Sequence, residues 1–137
     1  MKHNFKYAFL FFVAFLFVLQ NEVGAQDLEI KNILVEQQSH PIGIATATPR
    51  FSWQISSGKR AVKQVAYEIL VATSKANLEK NVGDVWSSGK VSSDNALLIP
   101  YKGTALKSNR YYYVKIKAVT NRGEEAWSKP MFLHWVL

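Results

Sequence analysis

The sequence predicts an all-β protein, a β-sandwich of about seven short strands over residues 26–137. Three observations favour this fold. Large apolar residues recur at every second position in several short segments, which places one face of each segment in a core. Turn-forming residues separate these segments about every 8–14 residues. No long stretch of this region has the period of an amphipathic helix, so strands must supply the core.

The first two predicted strands enclose a loop rich in Pro, Gly and Thr. The first strand, residues 28–36, changes its apolar phase near Lys31 and Asn32, which indicates a bulge or a bend. The second strand, residues 50–56, carries a strict alternation of large apolar side chains at Phe51, Trp53 and Ile55. We expect Trp53 to be a core residue.

The third predicted strand, residues 64–74, has two differently composed faces. One face carries only large apolar side chains, namely Val65, Tyr67, Ile69 and Val71. The other face is mixed and carries Ala66, Glu68, Leu70 and Ala72. Residues 76–81 are compatible with a single helical turn. Two brief strands follow at residues 85–91 and 96–100, each near Gly, Asp or Pro.

The clearest strand is predicted at residues 111–120, followed by a turn at 121–123 and a last strand at 131–136. Its inward face is expected to carry Tyr112, Val114, Ile116 and Ala118, and its outward face Tyr111, Tyr113, Lys115 and Lys117. Leu106 lies six residues before Tyr112, a spacing typical of a tyrosine corner. Together with a core Trp53, this favours an immunoglobulin or fibronectin type III-like sandwich.

Residues 1–25 have the three regions of a secretory signal peptide. Lys2 and Lys6 form a basic start, residues 8–19 are an unbroken apolar run, and residues 23–25 are small enough for cleavage after Ala25. The run is shorter than the roughly 20 residues that span a bilayer, although an uncleaved anchor is the alternative. We therefore expect an exported protein, periplasmic or extracellular, with no membrane contact after cleavage. The chain has no Cys, so no disulfide supports the domain, and an exported protein without disulfides is more typical of a bacterial secretory route.

The charge and the polar residues indicate neither nucleic-acid binding nor catalysis. The formal net charge is +7, but the basic residues are scattered rather than gathered on a recognisable nucleic-acid-binding module. There is no Cys nucleophile, no Gly-rich phosphate loop and no metal-ligand spacing, so we predict no catalytic residue, cofactor or metal. The carboxylates are expected to be solvated or turn-capping: Glu36, Glu68, Asp84, Asp94, Glu124 and Glu125.

Exposed aromatic residues are the remaining candidates for a functional surface. Tyr111 and Tyr113 share an outward face with two lysines, and Trp86 follows a Gly-Asp turn. Such rings can stack on sugars or pack against another domain. Coverage of a sheet surface and packing between domains is the favoured interpretation of these residues.

Several sequence blocks together resemble the N-terminal domain of bacterial α-L-rhamnosidases of glycoside hydrolase family 78. The most specific are Thr-Pro-Arg-Phe-Ser-Trp at residues 48–53 and Gly-Asp-Val-Trp-Ser-Ser-Gly-Lys-Val at residues 83–91. Others lie at residues 34–36, 41–44, 64–72 and 106–117, in matching order and spacing over nearly all of residues 28–137. The resemblance implies a fibronectin type III-like accessory domain of an enzyme that removes terminal rhamnose by inversion.

The resemblance also implies that the paired catalytic carboxylates lie in a downstream (α/α)₆ barrel with no counterpart positions in this sequence. We therefore expect a non-catalytic, structural domain that docks on other domains of a rhamnosidase-like enzyme. On this interpretation the chain is a fragment that lacks the barrel and is inactive alone. The alternatives are a free-standing carbohydrate-binding module, with a rhamnose-containing carbohydrate as partner, and a cell-surface adhesion or scaffold module.

Overall fold

The computed structural model describes residues 28–136, so the predicted signal peptide at residues 1–25 lies outside the described residues. In the described part the chain forms eight strands and one short helix. The strands are β1 (Leu28–Val35), β2 (Arg50–Ser57), β3 (Gln64–Ala72), β4 (Trp86–Ser87), β5 (Ile99–Pro100), β6 (Arg110–Thr120), β7 (Glu125–Trp127) and β8 (Met131–Trp135). The helix α1 spans Lys75–Glu79. Between residues 28 and 136, no helix has the length and apolar character needed to cross a membrane.

The strands form two antiparallel sheets that pack face to face. The smaller sheet has the order β1-β2-β5, and the larger has the order β4-β3-β6-β7, with β8 also paired to β6. β7 and β8 follow one another along β6 because residues 128–130 interrupt the last strand. Ser128 keeps the register across this break: its N–H donates to Ile116 O at 2.8 Å, and its Oγ accepts from Ile116 N at 3.0 Å.

The core between the sheets contains the side chains that the alternation predicts. Phe51 and Trp53 are buried on β2, and the inward residues of β6 are all buried. Tyr67, Ile69 and Val71 of β3 join the same cluster. The expected all-β sandwich is therefore confirmed. The pairings between its strands are antiparallel, and one parallel bridge joins Ile44 to Trp135 of β8.

Two irregularities change which side chains reach this core. The pairing of β1 with β2 shifts between Lys31 and Leu34, and Asn32 has φ 50°, so the irregularity predicted there as a bulge or a bend is a bulge. A second shift, between Gln64 and Ala66 on β3, was not predicted. Because of this shift, Val65 is exposed rather than in the core.

The shorter strands differ from their predicted bounds. β4 and β5 have two residues each, although residues 85–91 and 96–100 were expected to be extended. Leu97 and Leu98 are exposed, so the apolar run before β5 does not indicate a buried strand. β7 was missed because it is three residues long and buries only Ala126.

A second cluster lies on the outer face of the larger sheet, beneath α1. Ser74 begins the helix as its N-cap, and its Oγ accepts from the Asn77 N–H at 3.2 Å. Leu78 of the helix is fully buried against Leu70 and Ala72 of β3. This satellite cluster explains why the mixed face of β3 also carries apolar side chains.

The predicted tyrosine corner is present. The Tyr112 ring is buried at the start of β6, and its Oη accepts a hydrogen bond from the Lys107 backbone N–H at 2.8 Å. Leu106 packs against the edge of the same core cluster. This hydrogen bond holds the loop before β6 against the sandwich.

Candidate functional site

Trp86, one of the three predicted surface aromatics, packs against the sandwich core. Its ring stacks on Phe51 at 6.5 Å between centroids and meets Tyr101 edge-on at 5.1 Å. The turn before it requires Gly83, because a Cβ there would lie 2.5 Å from the Trp86 carbonyl oxygen. Gly103 is constrained similarly, since a Cβ would lie 2.3 Å from the Tyr101 hydroxyl. Because its ring packs on Phe51 and Tyr101, Trp86 is only partly exposed.

Tyr113 lies on the outer face of the larger sheet, as predicted, but it is partly buried. It packs with Trp127 against the satellite cluster beneath α1. Beside it, Lys115 Nζ lies 5.0 Å from the Trp127 ring centroid and donates to Leu78 O at 3.1 Å and Asn81 Oδ1 at 2.8 Å. Burial lowers the pKa of Lys115 from its usual value. Much of this part of the face is therefore covered by the chain itself.

Tyr111 is the most exposed of the three rings, with 60% of its surface accessible. One face stacks on His134 of β8, with centroids 4.6 Å apart and an interplanar angle of 23°. His134 Nε2 lies 3.2 Å from Asn109 Oδ1, which orients the imidazole. The structure thus does not bring the three predicted rings together, and their role in binding stays a prediction.

A pocket of about 360 Å³ opens beside Tyr111 at the end of the sandwich. We call it the end pocket; its walls include Thr73, Asp84, Thr104, Lys107, Arg110 and Tyr111. Sequence reasoning did not single out Lys107 and Arg110. The sequence does show two basic residues shortly before an exposed tyrosine at the start of a strand. It does not show that they line one pocket, because this depends on the loop that the tyrosine corner holds in place.

Asp84 is the carboxylate of the end pocket, and it is held as a turn cap. Its Oδ1 accepts from the Thr73 N–H at 3.0 Å and its Oδ2 from the Thr73 hydroxyl at 2.5 Å. Burial of the carboxyl opposes ionisation, but these bonds and one from Asn77 together lower its pKa. Asp84 therefore stays ionised near neutral pH.

The other predicted acids that have side-chain partners form hydrogen bonds or ion pairs near the surface. Glu36 accepts from Arg50 Nε at 3.0 Å and Nη2 at 2.8 Å. Glu124 pairs with Lys59, Glu125 pairs with Lys117 at 2.9 Å, and Glu68 accepts from Ser87 at 3.4 Å. Within residues 28–136 no group of three His, Asp or Glu side chains is arranged to hold a metal ion.

A groove of about 540 Å³ runs between β1 and the break that separates β7 from β8. Leu28, Ile30 and Met131 give it apolar walls, and Glu29 is its carboxylate. The end pocket and the groove each contain one carboxylate, whereas glycoside cleavage ordinarily uses two acids across the scissile bond. Neither site has the arrangement of a glycosidase centre.

The two most distinctive sequence blocks have identifiable structural tasks. In the first block, Phe51 fills the core, Ser52 Oγ accepts from the Leu98 N–H at 2.9 Å, and Trp53 Nε1 donates to Gln64 Oε1 at 2.8 Å. In the second, Ser88 Oγ accepts from the Ile69 N–H at 2.8 Å. These side chains hold loops to sheets.

The chain matches the family described as Rha78A-like, N-terminal immunoglobulin domain over residues 30–137. It is 35% identical over 135 residues to an α-L-rhamnosidase of Formosa agariphila, covering 96% of this chain and 14% of that protein. It is 38% identical over 104 residues to an α-L-rhamnosidase of Streptomyces avermitilis, covering 75% of this chain and 10% of that protein. The chain thus spans a small fraction of the length of these relatives.

Solved structures show the same domain. The crystal structure of the Streptomyces avermitilis α-L-rhamnosidase complexed with L-rhamnose matches 80% of this chain and 11% of its own, with a TM-score of 0.75 and 36% identity. The α-L-rhamnosidase from Dictyoglumus thermophilum also gives a TM-score of 0.75, at 28% identity, over 80% of this chain and 12% of its own. The chain belongs to the family of Rha78A-like N-terminal immunoglobulin domains.

Proposed function

We propose that the chain acts as a non-catalytic accessory domain of an exported α-L-rhamnosidase-like glycoside hydrolase, with a structural and domain-docking role. The observation that carries this proposal is the extent of the match. Two relatives named α-L-rhamnosidase align with 96% and 75% of the chain, yet the chain spans only 14% and 10% of their length. Its partners are then other domains of such an enzyme, and residues 1–25 direct its export.

The contacts of the family-like blocks support a structural role. Arg50 pairs with Glu36, Ser52 holds Leu98, and Trp53 donates to Gln64. Residues of the most distinctive block therefore make contacts within the sandwich and with the loop before β5. These contacts are all made within the chain, so they give the block a structural role that involves no substrate.

An aryl α-L-rhamnoside tests the absence of catalysis. We expect no release of the aryl group by the purified chain above the buffer rate. The controls are Glu29→Gln and Asp84→Asn, which remove the carboxylates of the groove and of the end pocket. Turnover by the unmodified chain that either substitution abolishes would contradict the proposal.

A domain exchange tests the docking role. The corresponding domain of the Streptomyces avermitilis α-L-rhamnosidase is replaced by residues 26–137 of this chain, and a deletion of that domain serves as the reference. We expect the exchange to restore thermal stability that the deletion loses. The matched control carries Val114→Asp, which places a charge in the fully buried core. An exchange no more stable than the deletion would argue against docking.

A further inference from the structure

The end pocket is lined by two basic side chains that the chain leaves unpaired, together with the one carboxylate of Asp84. In the described residues, neither the Lys107 ammonium nor the Arg110 guanidinium has a hydrogen-bond or ion-pair partner. Both side chains are exposed and line the same pocket. A guanidinium presents a planar fork of donors that matches carboxylate and sulfate oxygens. Basic residues outnumber acidic ones over the full chain, which has a net charge of +7, and they stay in excess without residues 1–25, so the domain attracts anions at long range.

The same pocket has a flat ring that is already held in position. His134 stacks on one face of Tyr111 and is absent from the lining of the pocket, so the other face of the ring has no aromatic neighbour in the described residues. Asn109 holds His134, and its φ of 50° is a left-handed conformation that Asn adopts more readily than most residues. A ring fixed in this way loses little freedom when a ligand stacks on it.

Hydroxyl and carboxylate groups complete the wall. The Thr104 hydroxyl has no hydrogen-bond partner in the described part of the chain and can meet a ligand hydroxyl. Asp84 is negative, but Thr73 already donates to both of its oxygens. Its remaining lone pairs can accept from a sugar hydroxyl. The pocket therefore combines a stacking ring, hydrogen-bonding groups and two free cations.

We propose that the end pocket binds one residue of an anionic saccharide, a sugar ring that carries a carboxylate or a sulfate. The volume of about 360 Å³ is near the lower end of the range for ligand pockets and fits a single sugar ring. Tyr111 stacks on the ring, and Lys107 and Arg110 neutralise the anion. This binding site is an addition to the proposed accessory role, and the two proposals are tested independently.

The test is a titration of the full chain followed by the backbone amide signals in NMR. The probes are methyl β-D-glucuronide and glucose 6-sulfate, with methyl β-D-glucoside and L-rhamnose as neutral counterparts. We expect saturable shifts around residues 104–111 with a dissociation constant on the order of 1 mM for the anionic probes. The neutral sugars should bind roughly tenfold more weakly. Whichever anionic probe binds more tightly identifies the anionic group.

Substitutions separate the contributions of charge and stacking. Removing both cations with Lys107→Gln and Arg110→Gln should weaken binding of the anionic probe by about tenfold or more. Tyr111→Ala should weaken the binding of all the sugar probes, charged and neutral. Lys90→Gln removes one charge from an exposed loop outside the pocket and should leave binding unchanged. The replaced side chains are exposed, so the variants should fold.

Several results would overturn the proposal. One is the absence of saturable binding by both anionic probes. Another is equal binding of glucuronide and glucoside, or undiminished binding after loss of both cations. Sodium acetate and sodium sulfate provide the last comparison. If they bind as tightly as the sugars, and Tyr111→Ala has no effect, the pocket attracts simple anions and is not a saccharide site.

Discussion

Single side chains satisfy polar groups that the fold would otherwise bury unpaired. Gln64 is an example: its Oε1 accepts from the buried Trp53 indole, and its Nε2 donates to Ser93 O at 3.3 Å and Asn95 O at 3.1 Å. One amide thus links a core aromatic to the loop before β5. Replacing it with an apolar residue would leave a buried N–H without a partner, which is costly.

Tyr112→Phe tests the tyrosine corner. The change removes the hydroxyl that accepts from the Lys107 N–H and keeps the buried ring. We expect the free energy of unfolding in urea to fall by about 1 kcal/mol. Tyr111→Phe is the matched control, because that hydroxyl has no hydrogen bond in the described residues; its effect should stay within about 0.5 kcal/mol. Equal losses in the two variants would contradict a specific role for the corner.

Glu36 makes stability depend on pH. Side-chain hydrogen bonds from Arg50 lower the pKa of Glu36, and partial burial opposes this. A carboxyl with a lowered pKa in the folded state stabilises the fold above its unfolded pKa, and the effect disappears as the pH falls through the folded pKa. We expect Glu36→Gln to be less stable than the parent near neutral pH, and the difference to shrink below about pH 4.

Urea unfolding at a series of pH values measures this difference. Glu29→Gln is the control, since Glu29 is mostly exposed and pairs with Lys31 at the surface; its removal should change stability little. A difference between the parent and Glu36→Gln that persists unchanged to about pH 3 would rule out this linkage.

At the scale of elements, regular alternation was the reliable signal. β6 was predicted to within one residue, and its inward residues are buried as expected. The bulge near Gln64 could not be predicted, because it depends on how β3 pairs with β6. β7 is too short to show a period. The satellite cluster was missed because α1 has five residues and only Leu78 is buried, so no helical repeat can be detected.

The candidate surface illustrates the same limit. Alternation placed Tyr111 and Tyr113 on the outward face of β6, where they lie. It could not show that the satellite cluster partly covers Tyr113 or that Tyr111 meets His134, since both depend on contacts across the sheet. Trp86 follows a turn, and the alternation of a strand cannot predict there whether a side chain faces the core or the solvent.

Leu78→Ala tests the importance of the satellite cluster. Leu78 is fully buried in α1, so its truncation removes apolar contacts and leaves a cavity. We expect a loss of about 2–4 kcal/mol in the free energy of unfolding. Leu97→Ala is the same change at a residue that is 67% exposed and should cost less than about 0.5 kcal/mol. Similar effects at both positions would mean that α1 contributes little to the fold.

At the scale of the molecule, aromatic contacts join the two sheets into one unit. Trp53 of β2 meets Tyr67 of β3 edge-on at 5.2 Å between ring centroids, and Phe51 of β2 stacks on Trp86 of β4. A single cluster of buried residues draws on both sheets. Neither sheet can therefore separate from the other without exposing large rings to water.

This shared core predicts a single cooperative unfolding transition. Far-UV circular dichroism follows the strands, and tryptophan fluorescence follows the packing of the rings between the sheets. We expect the two signals to give the same urea midpoint, as in two-state domains of this size. Because the chain has no Cys, adding a thiol reductant should leave that midpoint unchanged. A fluorescence change completed at lower urea than the loss of strand signal would show that the sheets separate before either unfolds, and that the aromatic contacts do not couple them.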